Sequence, residues 1–305
     1  MGKNDAAMRA PKILLALLFT LLGLAPANAQ QLLHQERSLY RNIFVTQTGD
    51  ERCMLFRYPV PFGRESCKLL HEPKKLIFDY TQMMLAGLYL NPKPAKLLII
   101  GEGGGTIPTA LQEMLPNTQI DLVELDSAVD RVAKQYFEFK PGPKMRVTIE
   151  DGRVFVKRSA AQRPNYDIVM LDAFDADYIP EHMLTREFLQ EVKSIMAPNG
   201  VIVANTFSNS ALYDYESVTY RDVFGPFYNL KLGNRIIVGR ANGIPSMDIV
   251  RNNAQVVEAG LKERGTGSDF LLRLFDVGMD WNPTTRVLTD QYSPSNLLNG
   301  LPRVR

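Results

Sequence analysis

The run Gly101-Glu102-Gly103-Gly104-Gly105 follows a short apolar run at 97–100 and precedes a helix-forming stretch that begins at Thr106. Glycines between a strand and a helix let the chain turn tightly and let a ligand approach the backbone. Glu124 closes the next apolar run, nineteen residues after Gly105. An acid at that distance can hydrogen-bond both hydroxyls of a ribose; the plainer alternative is a solvated acid at a strand end. The loop carries no Lys-Ser/Thr pair, which disfavours a nucleoside triphosphate. Gly105-Thr106-Ile107-Pro108 also lacks the last glycine of a dinucleotide fingerprint, so a nucleoside without a pyrophosphate fits better. Asp151-Gly152 follows the third strand candidate, where a carboxylate can accept from an adenine amino group. Asp172 ends the fourth, and Asp175 and Asp177 follow within five residues. Carboxylates clustered there attract a cationic substrate, and one of them can take the proton of a nucleophilic amine. The alternative is a loop of solvated acids with one helix cap.

These residues need a scaffold of alternating strands and helices, and the pattern supplies it. Strands are expected at 97–100, 120–124, 145–149, 166–171 and 200–205, with a late one at 235–238. Helices are expected at 106–115, from Ser127 as cap to about Tyr136, and at 185–196. Such alternation means a mostly parallel sheet with helices on both faces, an α/β Rossmann-like architecture. Before it, 40–46 and 54–58 read as strands of a β-rich start, and 76–90 as a helix broken by Asn91-Pro92-Lys93-Pro94. After Met247 a helix runs to about Glu263, then a poorly periodic tail. In that tail, Trp281 and Tyr292 line a pocket or fill the core. The expected division is a signal peptide at 1–29, a small β-rich domain at 30–75, the Rossmann-like domain at 76–245 and a C-terminal helix and tail at 246–305.

The first segment reads as an export signal. Lys3, Arg9 and Lys12 form a positive start, 13–24 is uncharged and apolar, and Ala27-Asn28-Ala29 is a cleavage pattern. Twelve helical residues span about 18 Å, short of a hydrocarbon core of about 30 Å. The alternatives are an uncleaved anchor or a buried helix. Cleavage after Ala29 leaves equal numbers of basic and acidic residues. The expected location is periplasmic or secreted, with no membrane span after cleavage. A chain without basic excess does not bind nucleic acid by bulk charge. With 45% hydrophobic and 22% charged residues among 305, it is not a disordered chain, a collagen or a disulfide-dense mini-protein. Cys53 and Cys67 are the only cysteines. Paired, they would close a loop of about 15 residues worth about 3 kcal/mol; otherwise they are two buried thiols. With three scattered histidines and no C-x-x-C, no metal site is expected.

The stretch 97–205 resembles the spermidine synthase family, the polyamine aminopropyltransferases. The likeness is carried by Leu98-Ile99-Ile100-Gly101-Glu102-Gly103-Gly104-Gly105-Thr106, Val123-Glu124-Leu125-Asp126, Asp151-Gly152-Arg153-Val154-Phe155, Leu171-Asp172-Ala173-Phe174-Asp175 and Leu184-Thr185-Arg186-Glu187-Phe188. Ser38-Leu39-Tyr40-Arg41-Asn42-Ile43 matches more weakly. The resemblance implies the class I methyltransferase fold with a small N-terminal β-domain. It implies decarboxylated S-adenosylmethionine as donor, a di- or polyamine such as putrescine as acceptor, and a homodimer. By position, Glu124 would bind the ribose and Asp151 the adenine, with Gly101, Glu102, Gly103, Gly105, Asp126 and Gly152 on the same cofactor side. Asp172 would be the general base, and Asp175, with Asp177 and Tyr178, would hold the amine.

The departures are specific. The family loop is G-G-G-D-G-G-T, and its Asp, which holds the amine of the decarboxylated donor, falls on Gly103; Glu102 stands one place earlier. That change favours an alternative, a methyltransferase using S-adenosylmethionine. The family's D-E-x-x-Y-H-E segment is missing. Tyr178-Ile179-Pro180 and the late Leu288-Thr289-Asp290-Gln291-Tyr292-Ser293-Pro294 resemble a divergent bacterial branch. Export of a fold that uses a cytosolic donor keeps a third alternative: a non-catalytic polyamine- or nucleoside-binding protein.

Overall fold

A computed structural model describes residues 29–59, 63–173, 180–299 and 301–303. The segment expected to be a signal peptide therefore lies outside the described residues, apart from Ala29. Asp175, Asp177 and Tyr178 lie outside them as well. No helix among the described residues is long and apolar enough to cross a membrane.

The chain opens with a four-stranded antiparallel sheet of β1 (Gln31–Arg37), β2 (Asn42–Thr48), β3 (Glu51–Leu55) and β4 (Arg64–Leu69), paired in sequence order. The expected strands at 40–46 and 54–58 are β2 and β3, displaced by two or three residues. β1 and β4 escape the sequence pattern because QLLHQER and RESCKL carry too few apolar residues to alternate. Cys53 pairs directly opposite Cys67 across β3 and β4, and the two form a disulfide between buried side chains. Replacing both by Ala is expected to cost about 3 kcal/mol and to lower Tm by roughly 5–10 °C. Calorimetry checks this, and an unchanged Tm would show that the crosslink constrains nothing.

After α1 (Asp79–Met84) the main sheet begins. Its elements are β5 (Lys96–Ile100), α2 (Thr106–Met114), β6 (Gln119–Glu124), α3 (Ser127–Tyr136), β7 (Met145–Ile149), α4 (Gly152–Ala160) and β8 (Tyr166–Leu171). They continue with α5 (Arg186–Ser194), β9 (Met196–Phe207), α6 (Leu212–Phe224), β10 (Phe227–Leu232), β11 (Asn234–Arg240) and α7 (Met247–Glu263). Two short helices, α8 (Ser268–Leu272) and α9 (Ser295–Asn299), close the chain. The strand order is β10-β11-β9-β8-β5-β6-β7. β7, β6, β5, β8 and β9 run parallel, while β11 and β10 are antiparallel additions.

Strand alternation explains why both faces are covered. Leu97, Ile99, Ile168, Met170, Val201 and Val203 face one core, which α7 and α8 help close. Leu98, Ile100, Val169, Leu171, Ile202 and Ala204 face the other, against α4, α5 and α6. Side chains two apart share a face, so an unbroken apolar run fills both cores. The four-stranded sheet packs Ile43, Val45 and Met54 on Ala128, Val129 and Val132 of α3.

Two local expectations are corrected. The helix expected at 76–90 is α-helical only over α1 and tightens to a 3-10 turn at Leu85–Tyr89. Gly87 packs so closely that a Cβ there would lie 2.4 Å from Val203 Cγ2. The cap of α3 is Asp126, whose side chain accepts from Ala128 N, and not Ser127. The C-terminal tail is held by hydrogen bonds instead of periodic packing. Arg153 bridges Glu191 and Asp290, and Thr185 Oγ1 donates to Asp290 at 2.7 Å. Trp281 is buried and stacks on Phe227, which places it in the core.

Candidate active site

In an open sheet of this kind the ligand crevice lies at the carboxyl ends of the strands, where the order reverses. Here β5 pairs with both β6 and β8, and a cavity of about 500 Å³ opens at that point. Its floor comes from the main sheet. Its far wall comes from the four-stranded sheet (Phe56, Glu65, Ser66), from Tyr80 of α1 and from the β10–β11 turn.

The glycine loop turns at the cavity edge. Gly101 has φ +103°, and a Cβ there would lie 2.1 Å from the backbone oxygen of Asp172, so only glycine lets β5 and β8 end together. Gly103 has φ +54° but no crowding; its virtual Cβ meets Ser66 at 3.7 Å, an ordinary contact. Gly105 is the N-cap of α2 and lies behind the cavity wall, and Gly152 opens α4 within it.

Glu124 ends β6 and clamps the loop. Its Oε2 accepts the Glu102 backbone N–H at 3.0 Å and its Oε1 the Asp126 N–H at 2.8 Å. Burial raises its pKa, while these two N–H groups and the Arg41 charge pull it back down. Glu102 is buried, and neither carboxyl oxygen has a hydrogen-bond partner among the described residues. Burial, with the nearby charges of Asp130 and Glu124, pushes its pKa up to about 9.

Asp151 caps α4 through Val154 N at 3.0 Å, and its other oxygen lies 2.9 Å from His182 Nε2. One face of this carboxylate is therefore committed to the helix. Asp126 lies outside the cavity wall. Its Oδ1 accepts from Ala128 N at 2.9 Å and its Oδ2 from the Ser38 hydroxyl, so both oxygens are spent on structure. Asp172 follows β8, its N–H bonded to Ile100 O at 2.8 Å. Asn205 Nδ2 donates to its Oδ1 at 2.9 Å. Burial pushes the Asp172 carboxyl up to about 6, against the lowering effect of Asn205. Tyr80 faces it, its hydroxyl held well above the ordinary range by burial and by the charges of Asp172 and Glu65.

The structure thus brings Gly101, Glu102, Gly103, Glu124, Asp151, Gly152 and Asp172 to one cavity and leaves Asp126 and Gly105 as supports. It adds Arg41, Glu65, Tyr80, His182, Asn205 and Asn234, which sequence reasoning missed. Asn205 carried a readable signal, as a polar residue at the end of an apolar strand. Glu65 and Tyr80 carried none, because a different sheet and a separate helix deliver them.

A glycine loop, a strand-end glutamate and a half-buried aspartate meet at the switch point of a Rossmann-like sheet, where folds of this class bind their ligands. Comparisons narrow the class. The spermine/spermidine synthase domain matches residues 77–226. A polyamine aminopropyltransferase of Vibrio vulnificus is 42% identical over 291 residues, covering 94% of this chain and 97% of that protein. Among solved structures, a probable spermidine synthase from Corynebacterium glutamicum superposes with a TM-score of 0.63 at 18% identity, covering 83% and 98% of the two chains. Human methyltransferase-like protein 13 in complex with SAH superposes at 0.55 with 26% identity, covering 72% and 100%. The chain belongs to the spermine/spermidine synthase family and is a polyamine aminopropyltransferase-like transferase.

Proposed function

We propose that the protein transfers the aminopropyl group of decarboxylated S-adenosylmethionine to a diamine such as putrescine, with Asp172 as general base. The observation that carries this reading is the charge of the cavity. Seven carboxyl side chains and two guanidinium groups line it, and with Glu102 held neutral by burial the acids still outnumber the bases. Such a lining suits two cationic ligands, a sulfonium donor and an ammonium-bearing acceptor. Glu124 would take the ribose hydroxyls and Asp151 the adenine amino group with its remaining lone pairs. The amine nitrogen attacks the propyl carbon next to sulfur. The C–N bond forms, the C–S bond breaks, and its electron pair leaves with neutral methylthioadenosine. Asp172 takes the proton that the amine sheds. A carboxyl near 6 is ionised at neutral pH yet basic enough to accept it. Asp175, Asp177 and Tyr178 are proposed to hold the far end of the amine.

Donor binding to residues 30–305 tests the reading by calorimetry with S-adenosylmethionine, its decarboxylated form and methylthioadenosine. Tighter binding of the decarboxylated form is expected. Equal or tighter binding of the carboxylated form would move the assignment to a methyltransferase, and no binding of any would leave a binding protein. Gly103→Asp sharpens the test, because the cavity has room there and Asp tolerates the left-handed φ. It is expected to raise the preference for the decarboxylated donor by about tenfold, the effect of one added ion pair near 1.4 kcal/mol. Export is proposed with this function, from the leader composition and from a disulfide of the kind that persists in oxidising compartments. Recovery of the protein only in the cytosolic fraction would end that part.

A further inference from the structure

Asp172 stands just past β8, Asn205 within β9 and Asn234 at the start of β11, three neighbouring strands. Leu171 pairs with Ala204, which sets Asp172 beside Asn205. On the other side of β9, Ile236 pairs with Asn205 and Asn234 with Phe207. The side chains meet in a line: Asn234 Nδ2 donates to Asn205 Oδ1 at 2.9 Å, and Asn205 Nδ2 donates to Asp172 Oδ1 at 2.9 Å. Asn205 is only 7% exposed, so both ends of its amide need partners, and both have them.

We infer that Asn205 and Asn234 form a relay that pins the Asp172 carboxylate and favours its ionised form, so both are positioning residues for the reaction. Their role in turnover rests on the function proposed above. The sense of the relay follows from hydrogen-bond chemistry. An ionised carboxylate only accepts, so the amide must present nitrogen to it and turn oxygen away. That oxygen then needs a donor, and Asn234 supplies one. Rotating the Asn205 amide by half a turn would aim its oxygen at Asp172, which is tolerable only if Asp172 carries a proton. Asn234 meets that orientation by turning its own NH2 toward Asn205, whereas a side chain at 234 that can only accept would force the other.

The other titratable groups near Asp172 sit on the opposite wall. Among the described residues these are Tyr80 and Asp79 from the region of α1 and Glu65 from β4, with Glu102 and Glu124 beyond the glycine loop. Behind the relay, Arg235 turns into the core toward Ser217 and Asn229, away from Asp172. None of these groups donates to the Asp172 carboxylate; Asn205 alone does so among the described residues.

The test is a carboxyl 13C NMR titration of the full chain labelled at aspartate, with the Asp172 signal assigned from Asp172→Asn. Asn234→Asp accepts from Asn205, flips the amide and is expected to raise the Asp172 midpoint by about one pH unit, roughly the change for losing one hydrogen bond to the ionised form. Asn234→Ala leaves the amide to follow Asp172 and is expected to raise it by less than half as much. In an Asn205→Leu background, the Asn234→Asp shift should fall to less than half, because the relay is cut. Direct repulsion through space would leave that shift whole and overturn the proposal, as would unmoved midpoints in both Asn234 variants. Asn205→Ser serves if the leucine variant does not fold. The acid limb of acceptor kcat/KM should move in step with the midpoint. If Asp172→Asn keeps wild-type turnover, the general-base assignment fails, while the titration still decides whether the relay exists.

Discussion

Asp172→Asn is expected to lower kcat by about 10²–10⁴-fold, the range for removing a positioned general base. Donor affinity should change less than about threefold, within the scatter of a surface-level perturbation. Asn fills the same space and can still meet Asn205, so the loss falls on proton transfer and not on the fold. The pH profile carries the same information. Burial places the wild-type carboxyl at about 6. The active form is the ionised one, so acceptor kcat/KM should rise as pH passes through about 6 and level off above it. Asp172→Asn should remove that limb. Steady-state kinetics between pH 5 and 9 measure both. A variant with unaltered kcat and an unaltered limb would sink the assignment.

The second large effect concerns the donor. Glu124→Gln should weaken binding of methylthioadenosine and of the donor by about 10- to 100-fold, from a misplaced buried polar group costing about 1–3 kcal/mol. The wild-type carboxylate accepts two backbone N–H groups, from Glu102 and from Asp126. An amide accepts with one end only, so its NH2 would face one of those donors. The glycine loop would shift, and the acceptor for the ribose hydroxyls would be lost in the same step. Acceptor KM at saturating donor should stay within about twofold, since no acceptor contact is removed. Calorimetry with methylthioadenosine decides this, and wild-type affinity in the variant would show that Glu124 only supports the strand end.

These two residues were legible from the chain alone, and the reason is local. Glu124 and Asp172 each end an apolar run, and a parallel strand buried on both faces reads as such a run. The glycine run lies between a strand and a helix, so its place at the carboxyl edge followed from order alone. The alternation of elements from β5 to β9 specified the sheet, because each strand buries itself by its own composition. The acids at 175 and 177 follow the same run and lie outside the described residues.

Other features depended on distance along the chain. β1, β4 and β10 carry weak or mixed patterns, and only pairing with a neighbour makes them strands. Asp126 and Ser127 are equally good caps on paper; the geometry of α3 and the Ser38 hydroxyl choose Asp126. Asp151 read as a free ligand group, yet α4 and His182 draw on its oxygens. Glu65, Tyr80, Asn205 and Asn234 reach the cavity from four separate elements. Local pattern was enough for the parallel strands β5 to β9, the glycine turn and the two strand-end acids, because hydrophobic period and glycine placement act over a few residues. Which polar groups surround Asp172 is a matter of long-range packing, because register between distant strands brings Asn205 and Asn234 into line with it and the docking of α1 brings Tyr80.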